Sequence, residues 1–123
     1  MKQALLVFIG GGFGSLLRYL ISKRLNPLFE HFYLGTFTVN SIGCLLIGFL
    51  LGYSLKGAFL NENQTLLLAT GFCGGFTTFS TFALEKHTLL KSGALFHFSI
   101  YTFSSICIGI LAVAVGIWLS KLI

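Results

Sequence analysis

Phe79 and Phe82 stand three residues apart, interleaved with Thr77, Thr78, Ser80 and Thr81. On a helix that spacing places both rings on one face. A ring edge carries the positive part of the aromatic quadrupole, so it can face an anion without a formal charge, and the hydroxyls supply donors beside it. Taken alone, such a pair is as well explained by core packing; the hydroxyl setting brings an anion contact into view. Two further segments carry polar side chains at helical spacing: Thr36 and Asn40 at i and i+4 beside Ser41, and Tyr101 and Ser105 beside Ser104. Groups of this kind either hydrogen-bond between helices or replace the hydration of a permeating ion. Spacing leaves both open. Arg18 is the one cation clearly inside an apolar segment, either snorkelling to an interface or drawing an anion toward a pore mouth.

The phenylalanine pair ends the stretch GFCGGFTTFSTF, residues 71–82, whose glycines fall at 71, 74 and 75. Glycine is a poor helix former, so the expected place for this helix to break is at those glycines. At membrane depth a break is tolerated only where the freed backbone groups are buried in protein or line a cavity. Carbonyls ending the first half can then ligate a cation, and amides opening the second half favour an anion.

The elements that must hold these residues follow from composition. The chain has 123 residues, 55% hydrophobic and only 9% charged, which a soluble domain of this size could not keep dissolved. A helical span takes roughly 20 apolar residues. Four such stretches are present, at about 4–22, 33–55, 64–89 and 96–119, giving a single all-α membrane domain. The N-terminal stretch has the look of a signal peptide but no small-x-small cleavage site, and reads as a retained first span. Gly10 with Gly14, Gly48 with Gly52, and Ala112 with Gly116 are small-xxx-small pairs that let helices approach closely. Cys44, Cys73 and Cys107 lie singly inside apolar segments, a pattern for small buried hydrophobes and not for a disulfide framework or metal site.

Charge narrows the function. Net charge is +5 with no basic run, which argues against nucleic-acid binding. Lys2, Lys56 and Lys121 flank one side of the bundle, and Lys23, Arg24, Lys86 and Lys91, taken as loop residues, the other. So small a positive-inside bias fits a chain that inserts in both orientations. The only acids are Glu30, Glu62 and Glu85, and the first, second and fourth spans have none, whereas a proton-coupled carrier needs an intramembrane carboxylate. No catalytic constellation stands out, and no enzyme activity is expected. His31, His87 and His97 receive no role.

The stretch GFCGGFTTFSTF, together with Asn40, the segment GSLLR ending in Arg18, and four spans with nearly balanced flanking charge, resembles the Fluc (CrcB) fluoride channels. The resemblance covers essentially the whole chain; GGFTTFSTF is highly specific and the small-residue pairs are not. It implies an antiparallel, dual-topology homodimer in the cell membrane, with two fluoride pores and a central sodium ion. By resemblance, Phe79 and Phe82 match the pore phenylalanines, Asn40 the pore asparagine, and Tyr101 and Ser105 the polar track of the fourth span, with Arg18 added at the path. Gly74 and Thr77 match the positions whose main-chain carbonyls hold sodium. Some relatives continue the track with a serine one turn beyond Ser105, where this chain has Gly109. The expectation is passive fluoride efflux, with a small proton-coupled exporter of cationic compounds as the alternative and a non-conducting accessory subunit as a third.

Overall fold

The computed structural model describes residues 1–57 and 60–123, and among these every regular element is helical. Helix α1 (Lys2–Leu25) runs into a 3-10 turn, Asn26–Leu28, with Pro27 at its start, where a missing N–H costs nothing. Helix α2 is Leu34–Leu55. The third span opens as α3 (Glu62–Thr65), continues as a π-helical segment over Leu66–Cys73 and as α4 (Gly74–Phe76), and resumes as α5 (Phe79–Lys91). Helix α6 is Leu95–Leu122. Among the described residues, four helical stretches are long and apolar enough to cross a membrane.

Local chemistry fixes the element ends. A reciprocal capping box starts α3: Gln64 N–H donates to Asn61 Oδ1 at 2.9 Å, and Asn61 N–H to Gln64 Oε1 at 3.0 Å. At the far end of the third span, Gly93 adopts φ 78°. Its N–H donates to Leu90 O at 3.1 Å and that of Ala94 to Leu89 O at 3.0 Å. This double bond pattern requires a left-handed residue, which glycine supplies without a Cβ penalty. The helix therefore runs through Lys91, and the lysine at position 86 belongs to it and not to the loop.

Helix α1 packs on the π-helical segment and α4, while α2 packs on α6. Small residues make both contacts. A Cβ at Gly10 would strike Leu67 O, and one at Gly14 would strike Phe72 O; Gly48 meets Val113 O and Gly116 meets Leu45 O in the same way. Backbone lies against backbone, which is how helices associate where lipid removes any hydrophobic drive between them. Large apolar side chains such as Phe8, Phe13, Phe103 and Ile110 are left exposed, as a lipid-facing surface requires. Of the cysteines Cys73 is buried, whereas Cys44 and Cys107 are only part-buried because their helix faces are incompletely covered by this one chain.

Candidate functional site

A groove of about 540 Å³ lies between α2, the third span and α6. Asn40, Phe79, Phe82 and Ser105 line it, and so do Gly74 and Thr77. Sequence positions far apart are thus brought to one wall-to-wall space. Arg18 and Tyr101 are not among its walls.

The glycines of the third span do not themselves interrupt the helix. Helical geometry runs through Gly71, Gly74 and Gly75 to Phe76, and the extended residues are Thr77 (φ −89°, ψ 159°) and Thr78 (φ −150°, ψ 121°). The reason is tertiary. Gly71 and Gly75 are used for approach to α1, where a Cβ on Gly75 would meet Gly11 O. Asn40, on α2, captures the backbone of Thr78 from both sides: Thr78 N–H donates to Asn40 Oδ1 at 2.8 Å, and Asn40 Nδ2 donates to Thr78 O at 3.1 Å. The Thr78 hydroxyl then caps α5 by accepting from Thr81 N–H at 3.2 Å.

These bonds release two carbonyls. In a continuous α-helix Gly74 O would accept from Thr78 N–H and Thr77 O from Thr81 N–H, four residues on in each case. Both donors are taken elsewhere, by Asn40 and by the Thr78 hydroxyl. Gly74 also faces open space, with nothing within 4 Å of a Cβ placed there. The neighbouring Gly75 O is instead satisfied by Arg18 Nε at 2.9 Å and Ser15 Oγ at 3.4 Å. Arg18, placed at the path by sequence reasoning, points to the back of the third span. It ties α1 to the end of α4 because a long guanidinium can reach a carbonyl that the helix has left unpaired.

The groove itself is poor in charge. Phe79 is 80% exposed and its ring centroid lies 6.2 Å from that of Phe82. Asn40 uses one of its two amide N–H groups on Thr78, leaving a second donor. Ser105 Oγ is buried without a hydrogen-bond partner, while neighbouring Thr102 and Ser104 bond back to Phe98 O at 2.6 Å and Tyr101 O at 3.3 Å. Tyr101, expected on the polar track, is fully buried, and its hydroxyl donates to Glu85 Oε2 at 2.7 Å. Its ring packs edge-on against Phe82, with centroids 5.6 Å apart.

Two residues without an assigned role turn out to be central. Glu85 is 6% exposed and accepts from Thr36 Oγ1 at 2.5 Å as well as from Tyr101. Thr36 is held in turn by its N–H donating to Asn26 Oδ1 at 3.1 Å. Lys86, read from sequence as a loop cation, is 7% exposed inside α5. Both were detectable as ionisable residues within reach of an apolar span, a rare and costly placement. The rings of His31 and His97 lie 4.8 Å apart near the same end of the bundle.

The comparisons with known proteins agree with one another. The sequence model for "CrcB-like protein, Camphor Resistance (CrcB)" matches residues 5–117. The chain is 47% identical over 123 residues to a fluoride-specific ion channel FluC of Phocaeicola vulgatus, covering 98% of this chain and 100% of that one. It is 48% identical over 126 residues to that of Bacteroides fragilis, covering 98% of each. The identity to that of Oceanobacillus iheyensis is 42% over 120 residues, covering 98% of this chain and 92% of the relative. With four helices apolar enough to span a bilayer among its described residues, and with 98% of it matched by each of these relatives, the chain belongs to the CrcB family of multi-pass membrane proteins.

Proposed function

We propose that this protein is a fluoride-selective channel, not an enzyme, that lets fluoride leave the cell passively down its gradient. The observation that carries the reading is the unpartnered Ser105 hydroxyl, buried in a groove whose other walls are Phe79, Phe82 and Asn40. An orphaned hydroxyl is costly unless a ligand completes it, and a small anion meeting hydroxyl, amide and ring edge would lose its water with compensation. The printed names of the relatives supply fluoride as that anion.

One chain leaves the groove open on a side where Phe79 is 80% exposed. A second, inverted copy would close it, and the weak asymmetry of flanking cations supports insertion both ways. With Lys86 inside α5, the cations flanking the spans become Lys2, Lys56 and Lys121 against Lys23, Arg24 and Lys91. The released carbonyls of Gly74 and Thr77 suit a structural sodium ion shared by two copies: they are uncharged oxygen ligands beside a non-helical segment, with open space at Gly74. When bound, the ion would supply positive charge that offsets carbonyls otherwise unsatisfied in the membrane. The interruption at Thr77 and Thr78 would then serve as the break of the third helix, with Arg18 as a positioning residue behind it.

The test is fluoride efflux from liposomes holding only this protein, followed with a fluoride electrode. Flux that needs no proton gradient supports the channel. Buried Glu85 is the one feature that favours a proton-coupled exporter, and flux that runs only with a proton gradient would decide for it.

A further inference from the structure

On α5, Phe79, Phe82 and Lys86 occupy positions i, i+3 and i+7, a single helical face. The two rings line the groove, and the lysine stands one turn beyond. Its Nζ is buried with no hydrogen-bond partner. Rings hold it instead: Nζ lies 4.0 Å from the Phe82 centroid and 2.8 Å from that of Tyr101. Ring faces attract an ammonium, but they do not satisfy its three N–H donors, and a buried charge with open donors is unfavourable. The neighbouring Glu85 carboxylate lies within electrostatic reach, yet it accepts from Thr36 and Tyr101 and Lys86 Nζ makes no hydrogen bond to it. An anion at the edge of Phe82 would feel the field of this ammonium through the ring. The geometry also acts through the ring. A cation over the face of Phe82 draws π density toward itself and leaves the edge hydrogens more positive, which strengthens an edge contact with an anion.

We infer that Lys86 is an anion-attracting residue seated behind the Phe82 wall of the groove. Its ammonium offsets the Glu85 charge, polarises the Phe82 ring, and by its field draws the small anion toward the ring edges. This rests on the channel reading for the identity of the anion.

The experiment compares wild type, Lys86→Met and Lys86→Arg in liposomes across a range of fluoride concentrations. Lys86→Met keeps the stem and removes the charge, so its flux at low fluoride should fall about tenfold while flux at saturating fluoride changes little, the behaviour of lost local anion concentration. Lys86→Arg should recover most of the low-fluoride flux. Melting temperatures are read alongside, because Lys86→Met removes a buried ammonium without hydrogen-bond partners but also the charge that offsets Glu85. Wild-type liposomes without fluoride flux would sink the channel reading itself. Wild-type flux matched by Lys86→Met at every concentration would overturn this inference alone. Failure of both Lys86→Met and Lys86→Gln to fold, with Lys86→Arg intact, would assign the ammonium to the fold and also overturn it.

Discussion

Asn40 is the position where structure and conduction can be separated by two substitutions. Its amide makes both backbone bonds to Thr78, one at 2.8 Å and one at 3.1 Å. Asn40→Ala deletes both. The Thr78 N–H and C=O are then left without partners, at about 1–3 kcal/mol each, so a loss of about 2–6 kcal/mol is expected, toward the upper end where water cannot reach. The chain can relieve part of this by winding Thr78 N–H back onto Gly74 O, which would withdraw a carbonyl from the proposed sodium site. Asn40→Asp differs. It keeps the acceptor for Thr78 N–H but sets a carboxylate oxygen against the Thr78 carbonyl, leaving that one group unpaired at about 1–3 kcal/mol. Its further effect is on the anion: for a carboxylate roughly 6 Å from the path at an effective dielectric near 20, repulsion is about 3 kcal/mol, or roughly a hundredfold in flux. The assay pairs thermal unfolding by circular dichroism in detergent with fluoride efflux from liposomes at matched protein. Asn40→Ala should show the larger drop in melting temperature, and Asn40→Asp the larger loss of flux relative to its loss of stability. The reasoning fails if Asn40→Ala melts like wild type, or if Asn40→Asp conducts like it.

Adjacent glycines should respond oppositely. Gly75→Ala drives a Cβ into the α1 backbone, with Gly11 Cα at 2.9 Å, and should cost about 1–3 kcal/mol of stability by overpacking, read as a lower melting temperature. A Cβ at Gly74 meets nothing within 4 Å in its own chain, so Gly74→Leu, extending from that open position, should leave helical content intact and disrupt only the dimer on a sizing column; an undisturbed dimer would remove the second copy from this face. Phe79→Ile and Phe82→Ile keep apolar bulk but lose the ring edge, so each should cut fluoride flux at least tenfold without altering oligomeric size, an effect within the range of lost transition contacts. Reporter fusions at the C-terminus should signal from both sides of the membrane, and a signal confined to one side would refute dual insertion.

Much of the candidate site was legible because membrane proteins write polar residues sparingly. Asn40, Phe79, Phe82 and Ser105 stood out against an apolar background, and helical spacing was enough to suggest a shared face. The structure brings these four residues to one groove. The small-residue pairs likewise announced close helix contacts, since a missing side chain in lipid has few other uses. Tyr101 illustrates the opposite case. Its position on the fourth span was readable, but its hydroxyl faces Glu85 and not the groove, a rotation that depends on the helix packed against it. Arg18 was visible as an intramembrane cation, and nothing in its neighbours pointed to a carbonyl 57 positions away in the chain.

By itself, then, the sequence determined four apolar helical stretches, their polar inlays and the scarcity of acids, because these depend on composition and on a 3.6-residue period that each segment carries alone. Where the third span leaves helical geometry was decided only by tertiary structure. Three glycines made their own location the weak point by propensity, yet Gly71 and Gly75 were spent on contact with α1, and the helix gave way at Thr77 and Thr78. A backbone bond breaks where a better partner is offered, and Asn40 offers Thr78 both a donor and an acceptor from a helix 38 residues earlier in the chain. Propensity marks where a helix is weak; the side chain across the interface selects where it opens.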